Sequence, residues 1–270
     1  MKMSVFFDHI LQAKQQTGKS LEELLQGVRQ AGIEAVEINL DYLLKEEWVW
    51  EALKQADLKI SCIYEFYEMG QQDESGKCQK HIETAVRVGA DRVLVVPGFL
   101  HGLEFKRMQF CMPRKKAIEY FMNHNRKIQR MKEQLSVMAK LGKEKGVTVT
   151  VEDFDDPHSP LSGVHGIYWF LQQIPQLGYT LDTGNYLYYG EELSEVIALL
   201  GNRIAHVHCK DRHAGDNASV AVGTGYIPFE KVLAGLKELN YAGYLAIEHF
   251  DVPDQDGSMR SSAEMLRKWI

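Results

Sequence analysis

Eight short apolar runs, most of them followed by a stretch of helical periodicity, constrain this chain more than any other feature. The runs cover residues 3–7, 35–38, 59–64, 92–96, 147–152, 179–181, 204–209 and 244–247. They are brief and rich in Val, Ile and Tyr, as strands buried on both faces are. The segments between them carry helix signals. Ser20-Leu21-Glu22-Glu23 is a capping box, followed by a stripe of Leu21, Leu24, Leu25 and Val28 and a stop at Gly32. Residues 77–89 and 193–200 read as helices in the same way. Pro228 occupies a favoured first helical position, ahead of Phe229, Val232, Leu233, Leu236 and Leu239 at helical spacing. One stretch breaks the rhythm: residues 97–146 read as an extended loop containing His101 and Glu104, then a long helix. A loop of that kind after a strand lies over an active-site mouth.

Strands alternating with helices fit either an open doubly wound sheet or a closed (β/α)8 barrel. The first strand-to-helix turn is Phe7-Asp8-His9-Ile10, without a GxGxxG motif, so a dinucleotide site has no support. The placement of polar residues favours the barrel. Glu152, Asp182, His208 and Glu248 each stand at the C-terminal end of one of the last four runs. In a parallel barrel those ends converge on one face, where barrel enzymes place their active sites. One acidic residue at a strand end is ordinarily a cap or a surface charge; four at successive strand ends point to a shared purpose.

Three carboxylates in a low-dielectric mouth repel one another, and a divalent cation removes that cost. Three oxygen donors and one imidazole suit Mn²⁺ first, with Mg²⁺, Co²⁺ or Zn²⁺ as alternatives. The expectation is an α/β protein, a single-domain (β/α)8 TIM barrel over residues 1–270, holding one divalent metal ion between these four residues.

Composition narrows the partners. The 270 residues carry a formal charge of −6, which gives no general attraction to nucleic acid or an anionic membrane. No window reaches the roughly 20 apolar residues of a membrane span, and the N-terminus lacks a signal-peptide core. Cys62, Cys78, Cys111 and Cys209 are scattered, which suits a reducing compartment, so a cytoplasmic location is expected.

Five segments together resemble a known family: Val-Glu-Asp at 151–153, Leu-Asp-Thr-Gly-Asn at 181–185, His-Val-His-Cys-Lys-Asp at 206–211, Val-Gly-Thr-Gly-Tyr-Ile-Pro-Phe at 222–229 and Ala-Ile-Glu at 246–248. They are similar to the xylose isomerase-like TIM barrels, the sugar phosphate isomerase/epimerase superfamily, and residues 31–37 also fit. That group includes ketose 3-epimerases, inosose isomerases and dehydratases, and zinc-dependent apurinic endonucleases. The resemblance implies that Glu152, Asp182, His208 and Glu248 are metal ligands and that Glu152 and Glu248 double as the catalytic acid/base pair. It implies a metal-dependent isomerase or epimerase of carbohydrate metabolism, acting on a ketose, inosose or related carbonyl sugar through a metal-stabilised enediolate. A keto-polyol dehydratase using the same site is the alternative, and a non-catalytic sugar-binding barrel is a third. Family members are often dimers or tetramers, so a homo-oligomer is compatible with the resemblance, but no interface signal in the sequence selects one.

Two departures matter. Asn185 stands where the family usually has a histidine, and the ends of the third and fourth runs hold Tyr64-Glu65 and Val96-Pro97 where the endonucleases have histidines. A three-zinc nuclease site is therefore not expected. Candidate substrate contacts are Asn185, His158, Lys210, Arg212 and Glu65. Lys210 could instead pair with a carboxylate. Glu37 reads as a salt bridge inside the barrel, and His206 as either packing or function. Gly223-Thr224-Gly225 could cradle a phosphate, although an ordinary turn is the simpler reading. Among the aromatics Tyr64, Phe66, Tyr67, Trp169, Tyr186 and Phe250, one or two should face the pocket.

Overall fold

Eight parallel strands close into a barrel in the computed structural model. They are β1 (Lys2–Phe6), β2 (Ala35–Asn39), β3 (Lys59–Phe66), β4 (Arg92–Val96), β5 (Thr148–Glu152), β6 (Gly178–Asp182), β7 (Ile204–Arg212) and β9 (Tyr244–Glu248). A two-residue strand, β8 (Ser219–Val220), pairs antiparallel with the end of β7. The structure describes every residue except Ala214, Asp216 and Asn217, and every other side chain but those of Leu187 and Tyr188. Consecutive strands pair from β1 to β7, and β9 closes the ring by pairing with both β7 and β1. No helix among the described residues is long and apolar enough to cross a membrane.

The strands lack polar/apolar alternation because both faces are covered: β6 and β9 are buried at every position. Their outer faces meet the helices through side chains such as Val5, Val36, Val93 and Val207, all fully buried. Each branched side chain so placed contributes on the order of 1.5–3 kcal/mol. The helix Leu21–Gln30 starts at the Ser20–Glu23 capping box and buries Leu24, Leu25 and Val28. Gly32 follows with φ 81°, a conformation that favours glycine.

The barrel interior is polar in layers. At its base Arg92 Nε donates to the Ala205 carbonyl at 2.6 Å. Higher up, Thr180 Oγ1 donates to Thr150 Oγ1 at 2.8 Å, and His206 meets Glu37. The strand register shifts between Val36 and Glu37 against β3, and between Tyr179 and Thr180 against β7. Such shifts re-aim the side chains that follow them.

Several expected boundaries move. β1 ends at Phe6, and Phe7 opens a helix instead of closing the strand. β3 and β7 run on to Phe66 and Arg212, past the expected ends at 64 and 209. Pro228 is the cap before the helix Phe229–Glu238, not its first residue. The largest correction concerns residues 97–146, which form three helices, Gly102–Cys111, Lys115–His124 and Arg126–Lys145, rather than a loop and one helix. Met108 is the one buried residue of the first of these, while Leu103, Lys106, Arg107 and Phe110 are exposed. With a single buried position, no apolar stripe marks that helix in the sequence.

Candidate metal centre

The ends of β5, β6, β7 and β9 bring Glu152, Asp182, His208 and Glu248 together, each offering a ligand atom within 4.8 Å of the others. All four side chains are buried. His208 Nδ1 lies 3.0 Å from Glu152 Oε1 and 3.1 Å from Glu248 Oε2. Asp182 Oδ1 accepts the backbone amides of Gly184 and Asn185 at 2.7 and 2.8 Å, a turn that fixes the carboxylate. Asp182 Oδ2 has no hydrogen-bond partner among the described residues, and Glu248 Oε2 meets only the His208 ring edge at 3.1 Å. Leaving a buried carboxylate oxygen unsatisfied costs about 1–3 kcal/mol or more. That oxygen, beside an imidazole nitrogen and two further carboxylates, makes a donor set that fits a divalent cation.

Electrostatics are tense here. Burial pushes the Glu152 and Asp182 carboxyls up, Asp182 well above the usual range. Glu248 goes the other way: burial alone would raise it, but Lys210 and His208 outweigh that and hold it far below. For His208, burial opposes the charge and is outweighed by Glu37 and Glu152, so its proton affinity rises. Lys210 contributes directly. Its Nζ is 2.8 Å from Glu248 Oε1, 3.4 Å from Asp155 Oδ2 and 3.8 Å from Asp182 Oδ2. Of the two readings open to Lys210, carboxylate pairing is present in the structure.

A cavity of about 330 Å³ opens above this cluster. Its polar wall includes Asp155, Asn185 and Lys210; its other wall is Phe6, Tyr64, Phe66, Leu94, Val96, Phe154 and Phe250. The Asn185 amide is held at both ends, donating to the Asp153 carbonyl at 2.7 Å and accepting from Arg212 Nη2 at 3.1 Å. Arg212 Nη2 also lies 3.7 Å from Asp155 Oδ2.

Other expected contacts fall elsewhere. Glu65 sits between Tyr64 and Phe66, so the strand pleat turns it away from the cavity; it pairs with Lys77 at 3.2 Å. His158 stacks on Phe105 at 3.9 Å between ring centroids and bonds to Asp156, outside the cavity lining. Tyr67 bonds to His81, Trp169 to Asn123 and Tyr186 to Tyr179, leaving Tyr64, Phe66 and Phe250 as the anticipated aromatics that face the pocket. The glycine turn does cradle an anion, but an internal one: Gly223 and Gly225 amides donate to Asp211 Oδ2 at 2.8 and 2.9 Å. Glu37 and His206 do meet inside the barrel, at 2.8 Å, but burial lowers the proton affinity of His206, so the contact is a hydrogen bond instead of the expected salt bridge.

Sequence reasoning missed Phe6, Phe154 and Asp155. The run Glu152-Asp153-Phe154-Asp155-Asp156 offered a signal, since residues just past a strand-end donor must lie over the mouth.

Comparisons with known proteins agree with this architecture. An inosose dehydratase of Clostridium perfringens is 30% identical over 109 residues, which is 33% of this chain and 35% of that protein. An uncharacterised protein of Methanocaldococcus jannaschii is 33% identical over 96 residues, 35% of this chain and 31% of its own length. These alignments thus span about a third of the curated relatives. Among solved structures, the IOLI protein with a zinc atom superposes with a TM-score of 0.74 at 16% identity, covering 100% of this chain and 99% of that one. A D-allulose 3-epimerase from Methylomonas in complex with D-allulose gives 0.72 at 15%, covering 100% and 97%. A model of the xylose isomerase-like TIM barrel matches residues 25–269. With its closed parallel ring and its donors at four strand ends, the chain belongs to the xylose isomerase-like TIM barrel family.

Proposed function

We propose that this protein is a divalent-metal-dependent isomerase or epimerase of a ketose, inosose or related carbonyl sugar. The observation that carries the reading is the convergence of Glu152, Asp182, His208 and Glu248, with Asp182 Oδ2 buried and unbonded, at the floor of a sugar-sized cavity. These four residues would hold the ion, Mn²⁺ by the balance of three oxygens and one nitrogen. Bound there, the ion would act as a Lewis acid toward adjacent carbonyl and hydroxyl oxygens and acidify the C–H between them.

The chain's own groups would move the proton. Glu152 and Glu248 start from opposite conditions: burial favours a proton on Glu152, while Lys210 and His208 keep Glu248 ionised. A pair with divergent proton affinities suits abstraction by one carboxylate and return by the other. Lys210 Nζ, in the cavity lining, would donate to a substrate oxygen while screening Glu248 from Asp182. Asn185, braced by Arg212, would orient a hydroxyl. The phenylalanine wall would cover the carbon face of the sugar and exclude water.

Dehydration of a keto-polyol is the second reading, supported by the likeness to an inosose dehydratase. It needs an acid aimed at the leaving oxygen. Lys210 lines the cavity and His158 does not, so Lys210 would serve.

Incubation with Mn²⁺ in D₂O over a panel of ketoses and inososes, read by NMR, tests both. Deuterium at the isomerised or epimerised carbon is expected. Loss of water to an enone or diketone would establish the second reading instead. Binding without turnover of any member would overturn both and leave a sugar-binding barrel.

A further inference from the structure

Glu37, on β2, lies fully buried beneath the four strand-end donors. Its Oε2 is 2.8 Å from His206 Nε2 and 3.1 Å from His208 Nε2, and its Oε1 is 3.2 Å from His208 Nε2. The opposite nitrogen of His208, Nδ1, is the one that faces Glu152 and Glu248. A neutral imidazole carries one N–H. If Nε2 keeps it, Nδ1 presents a bare lone pair. Phe6 and His206 pack edge-on against the His208 ring, with centroids at 5.0 and 5.4 Å, and restrain it from turning over.

We propose that Glu37 is a positioning residue of the metal centre: it accepts the Nε2–H of His208 and so fixes the tautomer in which Nδ1 is free to bind the ion. The inference rests on the metal-centre reading above and adds to it a residue from the far side of the barrel. His206 completes the device. By donating its own Nε2–H to Glu37, it orients the carboxylate toward His208. A carboxylate placed only to balance charge would need no defined angle. This one receives two imidazoles through the same type of nitrogen, and a carboxylate behind a ligating histidine raises the basicity of the ring and fixes its orientation.

Glu37→Gln tests whether the centre depends on this carboxylate, and the coordinating nitrogen of His208 separates positioning from charge balance. The amide keeps one acceptor oxygen, but its NH₂ takes the place of Oε1, 3.2 Å from His208 Nε2, and as a donor it disfavours a proton on that nitrogen. Zinc affinity, measured by competition with a fluorescent chelator, is expected to weaken roughly 10–100-fold. Affinity within about twofold of wild type in a folded variant would overturn the proposal. A second measurement needs no variant. In the zinc-loaded wild-type protein, ¹⁵N NMR should show His208 bound through Nδ1 and protonated at Nε2. Coordination through Nε2 would overturn the proposal whether or not the variant folds. If wild type binds no zinc at these donors, the metal-centre reading itself fails, and the role of Glu37 falls with it. Wild-type binding with an unaffected variant sinks the role of Glu37 alone.

Discussion

The two halves of the barrel mouth are built from different chemistry. β5, β6, β7 and β9 end in Glu152, Asp182, His208 with Lys210, and Glu248. β1, β3 and β4 present Phe6, Tyr64 with Phe66, and Leu94 with Val96 to the same cavity. On the apolar side, the Tyr64 hydroxyl is already committed to Asp8 Oδ2 at 2.7 Å. A ligand that satisfies both halves turns its carbonyl and adjacent hydroxyls to one wall and a carbon face to the other. The apolar wall also acts on the charged one: by displacing water it lowers the local dielectric and strengthens every ion pair opposite. That is why the charged half is so tightly cross-braced, with Lys210 set among three carboxylates.

Substitutions can break this contrast. The largest effect is expected in the charged half. Glu248→Gln and Glu152→Gln should each lower kcat about 10²–10⁴-fold, the range for removing a general acid or base. Turnover near wild type in either variant, on the substrate identified by the D₂O panel, would remove that residue from the proposed mechanism.

Next comes the ion itself. A chelator should abolish turnover and Mn²⁺ restore it. At about 100 times Kd, the ion should stabilise the fold by about 2.7 kcal/mol. Calorimetry reads this as a rise in Tm that shrinks in Asp182→Asn. An equal rise in that variant would place the ion elsewhere.

The apolar half should respond more mildly. Phe66→Ala and Phe154→Ala should raise KM about three- to tenfold with kcat little changed, as expected for losing one aromatic contact. A fall in kcat with KM constant would show that the wall contributes to the transition state. The smallest effect is expected from His158→Ala, whose ring packs on Phe105 outside the cavity. More than about a threefold change in kcat/KM would bring that loop into the site.

The two halves also differ in how readable they were. An acid or imidazole at the end of an apolar run stands out, because the run has no other place for it. Phe6 and Phe154 look like core residues in the sequence, and only the closed ring turns them toward a ligand. A one-residue error in the end of β1 hid Phe6, since successive strand residues face opposite sides. Glu65 was misplaced because β3 runs two residues past its expected end, so the pleat turns that side chain away from the cavity. At residues 223–225 an ordinary turn is the favoured reading of the sequence; its amides do face an anion, but that anion is Asp211 of the same chain.

Strand and helix alternation, the four donors and their common end of the barrel follow from the sequence alone, because periodicity and strand termination are local properties. The tertiary structure decided three further things: Lys210 lies among the carboxylates, Glu37 reaches His208 from 171 residues away, and aromatic rings from separate strands share one wall. These depend on distances across a closed ring, set by strand register and barrel closure. No local pattern of residues encodes such distances.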